Sequence, residues 1–290
     1  MLGSGSSGNA SLVSSGGTTL LVEAGLSGRE LVRRIRLAGQ RPEDIDAVLI
    51  SHEHGDHCRG ALSFAAPRGA PIACSAGTWR CVRREGRAPT PPWVELRPRA
   101  ATRIGAVTVT PFATPHDAQE SLGFRIESDG AAMVHVTDFG HLDEEIEAAV
   151  EGVDLLLIES NYDERSLFDS HYPPRIRQRI ASRYGHFSNG ALALYLRRRL
   201  PRSVRTVVLA HLSENTNTPE LALETARQAL DAGGRTDVRL LAANRRELTE
   251  EVLAVSPSAA RRAFRARRFI ARSLFDPGAV PVPAKAGRPA

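Results

Sequence analysis

The sequence predicts an α/β (α+β) fold, and three observations carry that reading. Short apolar runs of strand character recur along the chain, and segments of helical pattern marked by caps lie between them. The 290 residues are 42% hydrophobic and 24% charged, the balance of an ordinary globular protein. The strand-like runs are residues 19–23, 47–51, 107–112, 132–137, 155–159, 204–210 and 238–242. Ser27, with Glu30 three residues later, makes a capping box for a helix that ends near Gly39. Residues 87–92 hold three prolines and read as a loop. Ser188 caps a helix over 189–200 that Pro201 stops; Thr218 and Pro219 open another through Glu220 to Ala232, closed by Gly233 and Gly234. Beyond residue 256 the pattern degrades into a possible basic helix over 261–275 and a disordered end from 277.

One large domain can absorb most of this length, so residues 1–255 are assigned to it and 256–290 to a basic extension. That extension holds eight cations against one anion, Asp276, while the remaining 30 basic residues face 32 acidic ones. The net charge of +5 is therefore a property of the C-terminus, and affinity for a polyanion is to be sought there first. Cys58, Cys74 and Cys81 form no CxxC pair and are odd in number, which excludes a disulfide framework. The start lacks a basic n-region and an apolar h-region, and no run reaches the roughly 18 apolar residues of a spanning helix. A soluble cytoplasmic protein without membrane contact is expected.

The sharpest chemical signal is His52-Glu53-His54-Gly55-Asp56-His57, directly after the apolar run 47–50. A chance His-x-His-x-Asp-His in such a chain is expected roughly 4 times in 10,000. A turn after a strand fans neighbouring side chains apart, so His52 and His54 can serve one metal while Asp56 and His57 serve a second. Imidazole and carboxylate are donors that Zn²⁺, Mn²⁺ or iron accept, and two such ions can hold a bridging hydroxide. Two cations need further ligands at strand ends, and three residues sit there: His116 after 107–112, Asp138 after 132–137 and His211 after 204–210. His186 precedes the helix that Ser188 caps, where backbone and side-chain donors can meet an anion. Asn161, after the run 155–159, is either a further donor or a turn residue. His141, three residues past Asp138, is read as a neighbour of the ligands, His135 and His171 as structural, and Cys58 as a small packing residue.

With those residues in hand, the chain resembles the metallo-β-lactamase-fold hydrolase superfamily. The stretches 3–9, 114–118, 158–161, 179–189 and 210–214 resemble its YycJ/WalJ-type branch, and the likeness runs from about residue 2 to residue 253. The resemblance implies a four-layer αββα sandwich carrying two divalent ions, Zn²⁺ or Mn²⁺, at one edge. It implies His52, His54 and His116 for the first ion, Asp56, His57 and His211 for the second, and Asp138 between them. It also likens His186 to a residue that contacts phosphate or protonates a leaving oxygen. One departure is Glu23, where the superfamily usually has an aspartate that orients the ligand loop.

These readings converge on a dinuclear-metal-dependent phosphodiester hydrolase, a nuclease of exonuclease type acting on DNA. A bridging hydroxide is its nucleophile, and Asp56, Asp138 and His186 are its catalytic residues. Two rivals stay open. The same core attacks carbonyls, so a thioester or lactam hydrolase is one; a non-catalytic nucleic-acid-binding module working through the basic tail is the other.

Overall fold

The computed structural model describes residues 1–85, 90–245, 247–252 and 254, apart from the side chains of residues 84 and 85. The basic extension expected over 256–290 and the first part of the proline loop lie outside the described residues. The chain begins with β1 (Ser11–Ser15), β2 (Thr18–Val22), α1 (Gly28–Leu37), β3 (Ala47–Leu49), α2 (Gly55–Cys58) and α3 (Ala61–Ala65). It continues through β4 (Ile72–Cys74), α4 (Ala76–Glu85), β5 (Trp93–Glu95), β6 (Thr102–Ile104), β7 (Val107–Ala113), β8 (Leu122–Ser128) and β9 (Ala131–Val136). The remaining elements are α5 (Glu144–Val150), β10 (Leu155–Glu159), α6 (Glu164–Phe168), α7 (Pro174–Ile180), α8 (Asn189–Arg198), β11 (Thr206–Ala210), α9 (Pro219–Ala232) and β12 (Arg239–Ala242).

One sheet has the order β1-β2-β3-β4-β5 and the other β12-β11-β10-β9-β8-β7-β6. In the first, β1 and β2 are antiparallel and the rest parallel. In the second, β9 to β12 are parallel and β6 to β9 form an antiparallel meander. Period-2 alternation sorts the core. Leu20, Val22, Ala47, Leu49 and Ala73 of the first sheet meet Val107, Val109, Phe124 and Ile126 of the second, filling the space between the sheets. Their neighbours Leu21, Val48 and Ile72 point the other way, onto Leu31, Ile35 and Phe64 of the helices α1 and α3. On the far side Val134, Val136, Leu156, Ile158, Val207 and Leu209 pack against Ile146, Leu192, Leu196 and Leu230 of α5, α8 and α9. The order of layers is helix, sheet, sheet, helix, the αββα sandwich expected, and each fully buried Leu, Ile, Val or Phe contributes about 1.5–3 kcal/mol.

The caps behave as the sequence indicates, with one difference. Ser27, Ser188 and Thr218 each accept a backbone N–H of the first turn of α1, α8 and α9. The reciprocal half of the capping box is not made: the Glu30 carboxylate goes to Arg33 and Arg34 instead. Helix α8 ends at Arg198, two residues before the expected stop. No described helix is long and apolar enough to cross a membrane.

Candidate metal centre

The strands of both sheets end at one edge of the sandwich, and the residues that follow them converge there. After β3 the chain runs through Ile50 and Ser51 to the hexad, and His54 stands at the N-cap of α2. The loop is held from below. Asn9 N donates to the Asp56 carbonyl at 2.8 Å, and Gly25 packs so close that a Cβ there would lie 1.6 Å from that carbonyl oxygen. The second sheet sends one residue from each of four strand ends: His116 after β7, Asp138 after β9, Glu159 at the end of β10 and His211 after β11. Parallel register aligns these ends, with Ile158 opposite Val136 and Glu159 opposite Ala210.

Two triads of donors result. The nitrogens of His52, His54 and His116 lie within 4.8 Å of one another, as do the ligand atoms of Asp56, His57 and His211. In the first, His116 Nε2 is 3.3 Å from His54 Nδ1. In the second, Asp56 Oδ2 is 3.3 Å from His211 Nε2 and 3.6 Å from His57 Nε2. Asp138 touches both: Oδ2 is 3.1 Å from His57 Nε2, while Oδ1 is 3.8 Å from His116 Nε2 and 3.6 Å from His211 Nδ1. His186 stands at the rim, its Nδ1 3.5 Å from Asp138 Oδ1 and 2.8 Å from Glu159 Oε1. All eight site residues singled out in the sequence are thus brought together.

Around them lies a set of orienting contacts, in part unseen in the sequence. Glu159, completely buried, is the main omission. Oε1 takes His186 Nδ1 and His211 Nδ1, both at 2.8 Å, and Oε2 accepts the backbone N–H groups of Phe139 and Phe187. Its position at the end of an apolar strand run was the available signal, the same one that marked Asp138 and His211. Asn9 reaches His57 Nε2 at 3.1 Å and Asn161 donates to the His211 carbonyl at 2.7 Å. Glu23 faces His57 Nδ1 at 3.3 Å and accepts from Ser51 N–H, tying the loop to β2 as the usual aspartate would. Glu23, Asp138 and His211 all adopt left-handed backbone, with φ of 66°, 60° and 56°. Such conformations cost of order 1 kcal/mol each and persist where the surroundings enforce them.

The other histidines fall outside. His141 Nδ1 meets the Arg183 carbonyl at 3.0 Å, near the rim and away from the triads. His171 is exposed, and His135 is buried between the sheets on β9. Cys58 packs in the core beneath the loop.

The donor set fits cations. Among the described residues His52 Nε2 is buried without a hydrogen-bond partner, a state worth about 1–3 kcal/mol of penalty that a bound cation removes. Burial disfavours charge on His211, yet Asp138, Asp56 and Glu159 outweigh it and push its pKa up to about 10. Burial also opposes the charged form of His57, but Asp138 and Glu23 raise it. Burial, helped by His57, pushes His52 well down. Desolvation would raise Asp138, but His211 and His57 hold it well below the usual carboxylate range. Imidazoles ligate as neutral bases, so metal uptake at the second triad displaces protons and strengthens as pH rises, whereas His52 is neutral beforehand.

Comparison with known proteins adds the following. The sequence profile of the Beta-lactamase superfamily domain matches residues 18–212. The exodeoxyribonuclease WalJ of Streptococcus pneumoniae serotype 2 (strain D39) is 33% identical over 225 residues, 77% of this chain and 84% of that protein. The exodeoxyribonuclease YycJ of Bacillus anthracis is 30% identical over 235 residues, 81% of this chain and 89% of that one. Among solved structures, the metallo-beta-lactamase fold protein YhfI from Bacillus subtilis superposes with a TM-score of 0.64 at 17% identity, covering 86% of this chain and 96% of its own.

Proposed function

The chain belongs to the beta-lactamase superfamily, a metal-dependent hydrolase by fold and donor set, and from that premise we propose that it hydrolyses phosphodiester bonds in DNA as an exonuclease. The reading is supported by relatives named exodeoxyribonucleases that align over most of the chain. The observation that carries it is the His186–Glu159 pair beside Asp138, an imidazole held by a buried carboxylate at the partly open rim of the two triads.

In this reading His52, His54 and His116 hold one divalent cation, Asp56, His57 and His211 a second, and Asp138 serves both; Zn²⁺ and Mn²⁺ both suit these donors. Cations bound there supply a nucleophile at neutral pH and counter-charge for phosphoryl oxygens. Burial works against a cationic His186, but Glu159 and Asp138 outweigh it and raise its pKa. With Nδ1 committed to Glu159, Nε2 is the nitrogen left to face substrate. It donates a proton to the departing oxygen and, while charged, attracts the phosphate. Glu159 holds the His211 ring by Nδ1 and Glu23 faces Nδ1 of His57, so the geometry exists before substrate arrives.

The test is incubation of the Mn²⁺- or Zn²⁺-loaded protein with 5′- and 3′-labelled DNA and RNA, single- and double-stranded. Stepwise release of nucleotides from DNA ends is expected, and His186→Ala should lower that rate by about 10²–10⁴-fold. Absence of any cleavage, of nucleic acid or of bis(p-nitrophenyl) phosphate, contradicts the reading. Thioester hydrolysis that survives His186→Ala would move the protein to the carbonyl-hydrolysing class.

A further inference from the structure

Residues 170–187 contain four arginines and no acidic residue, and they lead directly to His186. Within this stretch α7 has no fully buried residue. It is too short to be stable by itself, and Arg175 and Arg179, one turn apart, repel.

The segment is nonetheless fixed against the centre. The Gly185 carbonyl lies 3.2 Å from His116 Nδ1, and the Tyr184 carbonyl accepts Asp117 N–H at 3.1 Å. Arg179 Nε donates to Asp117 Oδ2 at 2.7 Å. A Cβ at Gly185 would lie 2.2 Å from the carbonyl oxygens of Arg179 and Ile180, so the turn behind α7 is pulled tight enough to exclude a side chain there.

What this scaffold leaves outward is cationic and aromatic. Arg175 and Arg183 are exposed and Arg177 half-buried; none makes an ion pair among the described residues, in contrast to Arg179, though Arg177 donates to the Phe168 carbonyl and Arg183 meets His141 Nε2 at 3.2 Å. Tyr184 is 60% exposed and Phe168, on the preceding α6, is 76% exposed, with the Arg177 guanidinium 5.9 Å above its ring. Guanidinium groups without a carboxylate partner bind phosphates, and exposed rings stack on bases that are not already paired. A duplex offers only its backbone to such a surface; a single strand offers both.

We propose that α7 and the turn behind it, residues 173–184, form the surface on which a single strand of DNA lies as it leads to the centre. This rests on the phosphodiesterase reading only for the chemical identity of the strand. The arginines take its phosphates, and Tyr184 stacks on a base two residues before His186.

The full-length protein is tested in a chelator, where no cleavage occurs, by fluorescence anisotropy with a labelled single-stranded DNA oligomer. The double variant Arg175→Glu/Arg177→Glu should weaken binding by at least about tenfold and reduce the slope of log affinity against log salt by about 1.4. The control Arg197→Glu/Arg198→Glu, on exposed positions of α8, should change binding by less than about threefold. Tyr184→Ala should cost about tenfold and Tyr184→Phe little. A thermal melt close to wild type shows that the variants fold. Equal loss in the α7 and α8 variants, wild-type affinity in Tyr184→Ala, or equal affinity for a blunt duplex overturns the proposal. A protein that binds the strand through α7 but cleaves nothing when metal-loaded refutes the nuclease reading and leaves this surface standing; DNA cleavage indifferent to α7 does the reverse.

Discussion

The two sheets furnish the centre in different ways. The first delivers four of its donors, His52, His54, Asp56 and His57, from one loop after β3, anchored by Gly25, Asn9 and Glu23. The second delivers His116, Asp138, Glu159 and His211 from four separate strand ends, so their convergence depends on the register of β9, β10 and β11. A one-residue slip in a strand turns every side chain to the other face, so this half is correct only if the whole sheet is. The first half is local geometry and the second is tertiary structure, and Asp138 joins them.

Asp138→Ala, which removes the second-sheet residue that touches both triads, should have the largest effect. Metal content is expected to fall below two ions per chain and kcat to drop by about 10³-fold or more, measured by elemental analysis and cleavage of a labelled strand. Two retained ions with near-normal kcat would separate the halves entirely. Glu159→Ala should come next, since its carboxylate serves two imidazoles and two backbone N–H groups; a loss of about 10–100-fold in metal affinity or activity is expected. Glu23→Gln touches a single imidazole and should cost about tenfold or less in metal affinity by competitive titration. A larger loss at Glu23 than at Glu159 would mean that the contiguous loop, and not the strand register, limits the site.

The smallest effect concerns the packing between the sheets. His135 is fully buried there, and burial pushes its pKa down to about 4 from 6.5. The unfolded chain therefore takes up its proton first as pH falls. This contribution to stability is complete above pH 6.5 and is lost progressively toward pH 4, about 2 kcal/mol of it by pH 5. His135→Leu should remove that part of the acid sensitivity, seen by urea unfolding at pH 7 and pH 5. An unchanged difference between the two pH values would place the acid sensitivity elsewhere.

The same contrast explains what was legible in the sequence. The hexad is visible because its spacing is itself the geometry. The strands β3, β10 and β11 are buried on both faces and so read as near-continuous apolar runs, with a polar residue only at one end of β10 and of β11. By contrast β1 (SLVSS) and β8 (LGFRIES) carry polar residues at sheet positions whose partners only the fold supplies. His116, Asp138 and His211 are legible because a His or Asp after an apolar run recurs. Glu159 ends such a run in the same manner but reads as an ordinary strand terminus until His186 and His211 are seen to share it. Asn9 lies in the stretch 3–9 that carries the resemblance, but its contact with His57 is not legible because 48 positions separate them and it reads as any turn residue in a Gly/Ser-rich stretch.

The central claim is that the two halves together hold a pair of divalent ions. Anomalous diffraction from crystals grown with Mn²⁺ tests it most directly. The account predicts two peaks about 3.5–4 Å apart, one within His52, His54 and His116 and the other within Asp56, His57 and His211, with the Asp138 carboxylate between them. A single peak, or density lying away from Asp138, would contradict it.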